Sequence, residues 1–490
     1  MARSQCGRRA IKKKKKCSNP VLKSCIHCRI TFLVVPDSTM PSYDALIGRD
    51  FLMKPDIQTI IERRRIKISR KPVIQKVVHG NKNEIKQISS LEESVILKNV
   101  GNVIYALLSI SNWLTPSVLS KIGPKIAMLL GALTYCLFIL TFLWPQTWLL
   151  YVASAVLGTG AALIWTGQGM YLSKCSDEST ISRNSGIFWA LLQMSMFFGN
   201  LFVFFLFQGK THIDNDTRTL VFSILAGVAI IGIVFLGALR KPNQPSITVD
   251  DEMPEHQQSP KQAFINAVRL FMTKRMLQLS VTFIYTGLAL SFFSGVYGAS
   301  IGFTEAIGES AKQLVGLNGV FLGVGEVLGG VIFGLLGKRT AKWGRDPIVI
   351  AGFIIHISSF FLILMNIPNA APFGDTDDVA FFKPPIAAVA ILCSFLLGLG
   401  DACFNTQIYS MLGGVFAKNS AEAFSIFKFT QSVATAISFV YSSHLGLRVQ
   451  LGILLVFGIL GTACFCLVEW AVKRSRAVDV NECETVDTKK

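Results

Sequence analysis

LGLGDACFNTQ, residues 397–407, is echoed by LGTGAALIWTGQ, residues 157–168, which places Gln168 over Gln407 at an offset of 239. A second pair, SGIFWALLQMS (185–195) and FSIFKFTQS (424–432), sets Ile187 and Phe188 over Ile426 and Phe427 at the same offset. Further upstream, GPKIAMLLG (123–131) pairs with GRDPIVIAG (344–352) at 221. The difference is absorbed by one loop, NIPNAAPFGDTDDVAFFKPP, which stands where the first copy has only WPQT. One pattern is therefore written twice in the same order, on either side of a long polar segment. What the pattern builds is decided by its hydropathy.

The chain has 490 residues, 51% of them hydrophobic and only 16% charged. A soluble protein carries roughly a quarter charged residues. Beyond residue 98 apolar runs recur near 100–120, 123–143, 148–170, 184–206, 219–239, 277–300, 313–337, 346–367, 385–411, 420–444 and 448–471. Each is close to the roughly 20 residues that span a bilayer as a helix. The run TLVFSILAGVAIIGIVFLGAL (219–239) has no charge at all. This is the sequence of an all-α, polytopic membrane protein with eleven visible helices. Parallel repeats of helices about a long central loop are the arrangement of the major facilitator fold, with six helices in each half.

The loops divide by charge. Lys121 and Lys125, Lys174 and Arg183, Arg240 and Lys241, Lys338 to Arg345, Lys418, and Lys473 with Arg474 fall on one side, and the alternate loops are poorer in Lys and Arg. Cytoplasmic loops are the basic ones, so the C-terminus and the 240–276 loop are expected in the cytoplasm. Asn215-Asp216-Thr217, an N-glycosylation sequon, is then expected outside. Five regions follow: a basic appendage (1–98), a five-helix bundle (99–239), a central loop (240–276), a six-helix bundle (277–471) and a tail (472–490). The formal charge of +18 is concentrated in the appendage, where 22 Lys and Arg face 8 Asp and Glu. Stepping back 221 positions from the helix at 277–300 leads to DIQTIIERRRIKISRKPVIQKVVH, whose basic residues cannot cross a membrane. The expectation is that the first helix of the first repeat is missing and that the appendage lacks structure. Cys25-Ile-His-Cys28 has the spacing of half a zinc site, but no second half follows.

The polar residues inside the helices are the candidates for function, because an ionised group in hydrocarbon normally faces a bundle interior, a cavity or a partner. Asp401 and Asn405 share one helix face, with Gln407 a few positions on. Lys428 and Gln431 stand on the next helix. Asp401 with Lys428 reads as a buried ion pair, either fixed or opened by a proton or substrate. Glu326 is the other intramembrane acid; Gly325-x-x-x-Gly329 and Gly330-x-x-x-Gly334 beside it are spaced for close helix packing. Gln168, Gln193, Gln407 and Gln431 are expected on the central cavity. His356 reads as a helix-packing residue, and Glu469, near a helix end, as one able to reach the interface. The end of the central loop, AFINAVRLFMTKRML (263–277), suits an amphipathic helix on the membrane surface.

SNWLTPSVLSKIGPK, SDESTISRNSGIFWALLQMSMFFGNLFVFF, FFSGVYGASIG, GLNGVFLGVGEVLGGVIFGLLGK, ILCSFLLGLGDACFNTQ and FSIFKFTQS together resemble the Unc-93-like branch of the major facilitator superfamily, from Asn99 to about residue 475. The resemblance implies a multi-pass membrane protein, and it casts Gly334, Lys338, Arg339, Gly344 and Arg345 as a cytoplasmic gate loop. Residues 28–52, ending in Ile47-Gly48-Arg49-Asp50, resemble the C-terminal flank of a retrotransposon aspartic protease without its catalytic triplet. No phosphate loop, nucleophile elbow, metal set or cofactor motif stands in the chain, so neither an enzyme nor a nucleic-acid partner is expected. Two functions remain open. One is a secondary transporter of an unidentified small solute, worked by alternating access. The other is a non-transporting regulatory or trafficking subunit for another membrane protein. A missing first helix would leave one wall of the cavity open to lipid, which argues for an incomplete chain or for the second function.

Overall fold

The computed structural model describes residues 82–177, 179–207, 215–240, 259–308, 311–336 and 343–487, with four short strands ahead of them. The chain forms two compact units, residues 1–95 and 96–490. In the first, β1 (Phe32–Leu33) pairs with β2 (Leu46–Ile47), and β3 (Ile57–Glu62) pairs antiparallel with β4 (Arg65–Arg70). The second hairpin follows from a period of two. Register sets Ile61 against Ile66 and Thr59 against Ile68, so apolar and β-branched residues alternate along both strands. The segment expected to lack structure therefore contains a hairpin. Cys25 and Cys28 lie outside the described residues, as does the basic run before them.

The helices begin with α1 (Lys82–Thr141), which is two spans joined at a bend. Gly123 adopts a φ of 73° there, and Pro124 starts the second span. This order suits both residues: glycine ends a helix at no steric cost, and proline opens one where its missing N–H is not needed. Then come α2 (Thr147–Lys174), α3 (Ile181–Phe207) and α4 (Asn215–Ala238). A short α5 (Pro260–Phe271) fills the end of the central loop where the amphipathic segment was expected. The second half contains α6 (Lys274–Ser291), α7 (Gly298–Phe303), α8 (Ala311–Leu335), α9 (Asp346–Asn366), α10 (Ala387–Val415), α11 (Ser420–Ser442) and α12 (Leu447–Asp487). A π-helical turn, Phe292–Tyr297, joins α6 to α7 into one span.

Ten of these stretches are long and apolar enough to cross a membrane. The bend at Gly123 makes the first of them two, so the eleven runs read from hydropathy are all present among the described residues. Two boundaries differ from the sequence reading. The helix begins at Lys82, well before the first apolar run, and α12 continues through residues 472–487, which were expected to form a separate tail.

Glycine spacing sets the packing of α8. Gly325 meets the backbone of Phe395 and Leu399, and Gly329 meets Ala402, so this face lies on α10. Gly330 and Gly334 face Ala190, Gly186 and Ile187 on α3. One helix thus touches its own bundle through one glycine pair and the first bundle through the other, as small residues allow in lipid. Phe283, Tyr285, Tyr297, Phe404 and Phe427 belong to a continuous buried core in the second half. Leu108, Ala161 and Ala162 form a small cluster in the first, under Tyr105, Tyr135 and Trp165.

Candidate functional site

A cavity of about 410 Å³ lies where the bundles meet, lined from both. Glu326, Asp401 and Lys428 reach its wall and are 1%, 4% and 9% exposed. Each is placed by a different helix of the second half, while the first half supplies Tyr105, Tyr135, Trp165, Trp189 and Gln193. The π-helical turn adds Phe293 and Ser294; such turns often mark functional sites because they re-aim side chains without ending a helix.

Glu326 is held from across the interface. Trp189 Nε1 donates to its Oε2 at 2.6 Å, and Gln193, one turn further along α3, lines the cavity beside it. Asp401 stands beside Glu326 on the same wall. Two carboxylates side by side repel, so a proton taken up by either relieves the pair. Asp401 Oδ2 accepts a further bond from Asn405 Nδ2 at 2.8 Å, the i, i+4 geometry expected on one helix face.

Lys428 does not pair with Asp401. No salt bridge joins them among the described residues, and the expected ion pair is replaced by two other arrangements. Lys428 Nζ donates to Gln431 Oε1 at 2.9 Å. Its ammonium also lies 4.9 Å from the centre of the Trp165 ring and 4.5 Å from that of Phe427, inside the range of a cation–π contact. Gln431 Nε2 in turn donates to Thr286 Oγ1 at 3.2 Å. The lysine is thereby fixed between the bundles, while Glu326 is held by α3 and Asp401 by Asn405.

The wall is closed on the side of the basic loops. Phe188 and Trp189 pack against Tyr409, which also meets Phe424 and Phe427. Phe424 sits directly on Gly169 of α2, where a side chain would collide with the ring. The opposite rim carries Ser195 and Ser294, both exposed.

A second contact between the bundles runs along α1 and α11. Tyr105 faces Phe439 at 5.7 Å, Ser109 Oγ meets Ser432 Oγ at 2.7 Å, and Trp113 faces Phe429 at 5.0 Å. Positions 105, 109 and 113 recur every four residues, so they form one stripe of α1. Aromatic pairs close the ends of this seam, and the smallest pair stands at its middle.

Of the other expected residues, Gln193 and Gln431 line the cavity, but Gln168 and Gln407 do not. Gln407 is buried beside Thr406, whose Oγ1 it contacts at 3.1 Å. Its direction follows from the rotation of α10, which places Asp401 and Asn405, rather than Gln407, toward the gap. His356 is satisfied as a packing residue, bonding Tyr285 OH through Nδ1 and Leu397 O through Nε2. Glu469 does not reach the interface: it is 2% exposed and paired to Arg345, whose Nη1 lies 2.9 Å from its Oε2. Arg345 Nε donates to Ser410 Oγ as well. In the loop expected to be the gate, Gly344 takes a φ of 98° beneath the Lys473 side chain, and Lys473 Nζ reaches Asp346 Oδ1 at 2.6 Å. Gly334 packs on α3, and Lys338 and Arg339 lie outside the described residues. Asn215 is the first residue of α4. The cavity residues that sequence reasoning missed are aromatic: Trp165 and Trp189 were indistinguishable from lipid-facing tryptophans until their partners were known.

A family model described as "Ion channel regulatory protein UNC-93" matches residues 100–466. The UNC93-like protein MFSD11 of Xenopus laevis is 44% identical over 384 residues, covering 76% of this chain and 86% of its own. Among solved structures, the proton:xylose symporter XylE bound to 6-bromo-6-deoxy-D-glucose aligns with a TM-score of 0.57 at 12% identity, over 75% of this chain and 85% of that one. FucP, a major facilitator transporter in the outward conformation, aligns at 0.53 and 12%, over 77% and 90%. These two establish the major facilitator fold. The protease-like resemblance of residues 28–52 is not borne out, and the family match does not extend to them.

Proposed function

We propose that this chain, which belongs to the UNC-93 family, is a secondary transporter that carries a small solute across the membrane by alternating access. The observation that carries the reading is the cavity itself: it lies between the two bundles, is lined by both and holds three buried ionisable groups. Its aromatic floor and exposed opposite rim correspond to one end state of a rocking motion. With the basic loops and the C-terminus cytoplasmic, that state is open to the outside, and Asn215 lies on the outer face. Asp401 and Glu326 bind the coupling proton between them. Lys428, Asn405, Gln431 and Gln193 contact the solute. Trp189 and Gln193 tie the proton site to the opposite bundle, so emptying or filling that site changes how firmly the bundles are joined. Arg345 and Gly344 brace the cytoplasmic ends of α9, α10 and α12 rather than facing solvent. Gln168 and Gln407 act as buried packing amides.

The test is a solute-induced current across proteoliposomes containing the purified chain, driven by an imposed pH gradient and screened with amino acids, sugars and organic cations. Transport predicts a response that Asp401→Asn and Glu326→Gln abolish while both variants remain folded. A second reading is favoured by the description of the matched family and by the apolar face of α4, where Val228, Ile231, Val234 and Phe235 are all more than half exposed. In that reading the chain regulates another membrane protein. Stoichiometric co-purification of a channel, with no solute response at any pH gradient, would replace the first reading by the second.

A further inference from the structure

The seam between α1 and α11 has a groove on its outer side. A pocket of about 630 Å³ is lined by Ala106, Ser109, Ile110, Trp113, Leu114, Phe429, Val433, Ala436 and Ile437. All but Ser109 are apolar, and Ile110, Leu114 and Ile437 are more than half exposed on surfaces that face hydrocarbon in a membrane. The polar cavity lies directly behind it. Ser109 lines the groove, Ser432 lines the cavity, and their hydroxyls touch at 2.7 Å. One hydroxyl contact therefore divides an apolar groove from a charged chamber.

That divider is built to open. Ser109 Oγ also reaches Tyr105 O at 2.7 Å, and Ser432 Oγ reaches Phe429 O at 2.9 Å. When the seam parts, each hydroxyl falls back on a carbonyl of its own helix, and neither donor is left unpaired in lipid. The aromatic pairs above and below it have no such substitute for their contacts, so the middle of the seam is its weak point. The small side chains of Ala106 and Ala436 leave width on the lipid side.

We propose that the transported solute is a single-chain zwitterionic amphiphile that enters from the bilayer, its aliphatic tail in the groove and its head in the cavity. This rests on the transport reading above. The tail matches a groove with an all-apolar wall beyond Ser109. The head matches a chamber that holds one cation, Lys428, and two adjacent carboxyls, Glu326 and Asp401, with Trp165, Tyr105 and Tyr135 offering ring faces to an ammonium. A zwitterion complements both signs at once. A fully anionic or fully cationic head would leave one of them unmatched.

The experiment uses the full chain in phosphatidylcholine nanodiscs and a lysophosphatidylcholine with a diazirine in its tail. After photolysis, adducts are mapped by mass spectrometry. Labelling of Ala106, Ile110, Val433 and Ile437 is expected to exceed that of Val228, Ile231 and Phe235 on α4 by about tenfold, the ratio that separates a bound site from annular lipid by one decade of affinity. A disulfide between Ser109→Cys and Ser432→Cys, whose parent oxygens already touch, is expected to remove this excess, and reductant to restore it. Restoration shows that the variant is folded. Equal labelling of the groove and α4 overturns the proposal, as does excess labelling that the disulfide leaves unchanged. An unlabelled groove occupied by a co-purified membrane helix overturns it too. The result is read without any flux. Labelling without any uptake of lysophosphatidylcholine into proteoliposomes overturns transport and, with it, the amphiphile as a solute, whereas transport of a water-soluble solute with uniform labelling overturns the amphiphile and keeps transport.

Discussion

The two bundles are copies of one pattern, yet they are packed to different degrees. In the second half the span Lys274–Phe303 has 72% of its apolar window buried; in the first, Val100–Thr141 has 28% and Asp216–Ala238 has 11%. The reason is visible in what α6 touches. Thr282 Oγ1 donates to Gly461 O, Thr435 Oγ1 donates to Gly287 O, and Tyr285 packs edge-on against both His356 and Phe404. The repeat offsets place Tyr135 where the second half has His356, and Trp165 where it has Phe404. In the first half these two side chains bond each other, Trp165 Nε1 to Tyr135 OH at 3.1 Å, and line the cavity. Residues that grip a central helix in one copy face open space in the other. The second bundle is thus the rigid partner that carries the charges, and the first presents aromatic surfaces to them.

The rigid half depends on contacts that the first half lacks. Glu469→Ala leaves Arg345 buried without its partner, and a loss of about 3–5 kcal/mol is expected from an uncompensated internal charge. Thermal unfolding of the detergent-solubilised protein checks this; a shift no larger than that of a surface variant would show that the basic-loop ends of α9 and α12 are not held this way. Two glycines, one in each half, differ in the same way. Gly287→Leu drives a side chain into the Gln431 carbonyl, while nothing stands within 4 Å of Gly227. The first is expected to destabilise by about 3 kcal/mol, the upper end of overpacking, and Gly227→Leu by under about 0.5 kcal/mol. Equal effects would mean that the two halves are equally packed.

Trp189→Phe tests the link between the halves. Loss of its bond to Glu326 is expected to weaken the closed interface by about 1 kcal/mol. Thiol labelling of a cysteine placed at Phe427, on the closed side, should then accelerate; an unchanged rate would show that the bond does not hold the floor shut. The smallest effect belongs to the loop before α3. Asp177 Oδ1 accepts from the N–H groups of Ser179 and Thr180, and hydrogen bonds from these residues hold its carboxyl below the usual carboxylate range. A lowered folded value stabilises the fold above the unfolded one and is lost as pH falls through the folded one. The small gap in melting temperature between the native chain and Asp177→Asn should therefore be full near neutrality and close below about pH 4, where free aspartate takes up its proton. A gap that widens in acid would have the wrong sign.

Hydropathy alone determined the eleven crossings, and the internal offsets determined that they form two related sets. Glycine spacing around Glu326 correctly announced close packing on α8, and the i, i+4 spacing of Asp401 and Asn405 set them on one face, where the structure shows them bonded. What sequence could not supply was the rotation of each helix about its axis. A soluble helix declares its buried face by contrast with a polar one; in a membrane both faces are apolar, and the period carries almost no contrast. Asp401 and Lys428 were adjacent in the chain's helix order and of opposite charge, which made them natural partners on paper. The tertiary structure instead brought Glu326 to Asp401, turned Lys428 onto Trp165, and laid Trp189, 137 residues away, against Glu326. It also buried Glu469, whose place near a helix end looked solvent-accessible until Arg345 arrived from the turn that opens α9. Each of these pairings depends on which side chain a neighbouring helix presents at that depth, and that is decided when the helices pack.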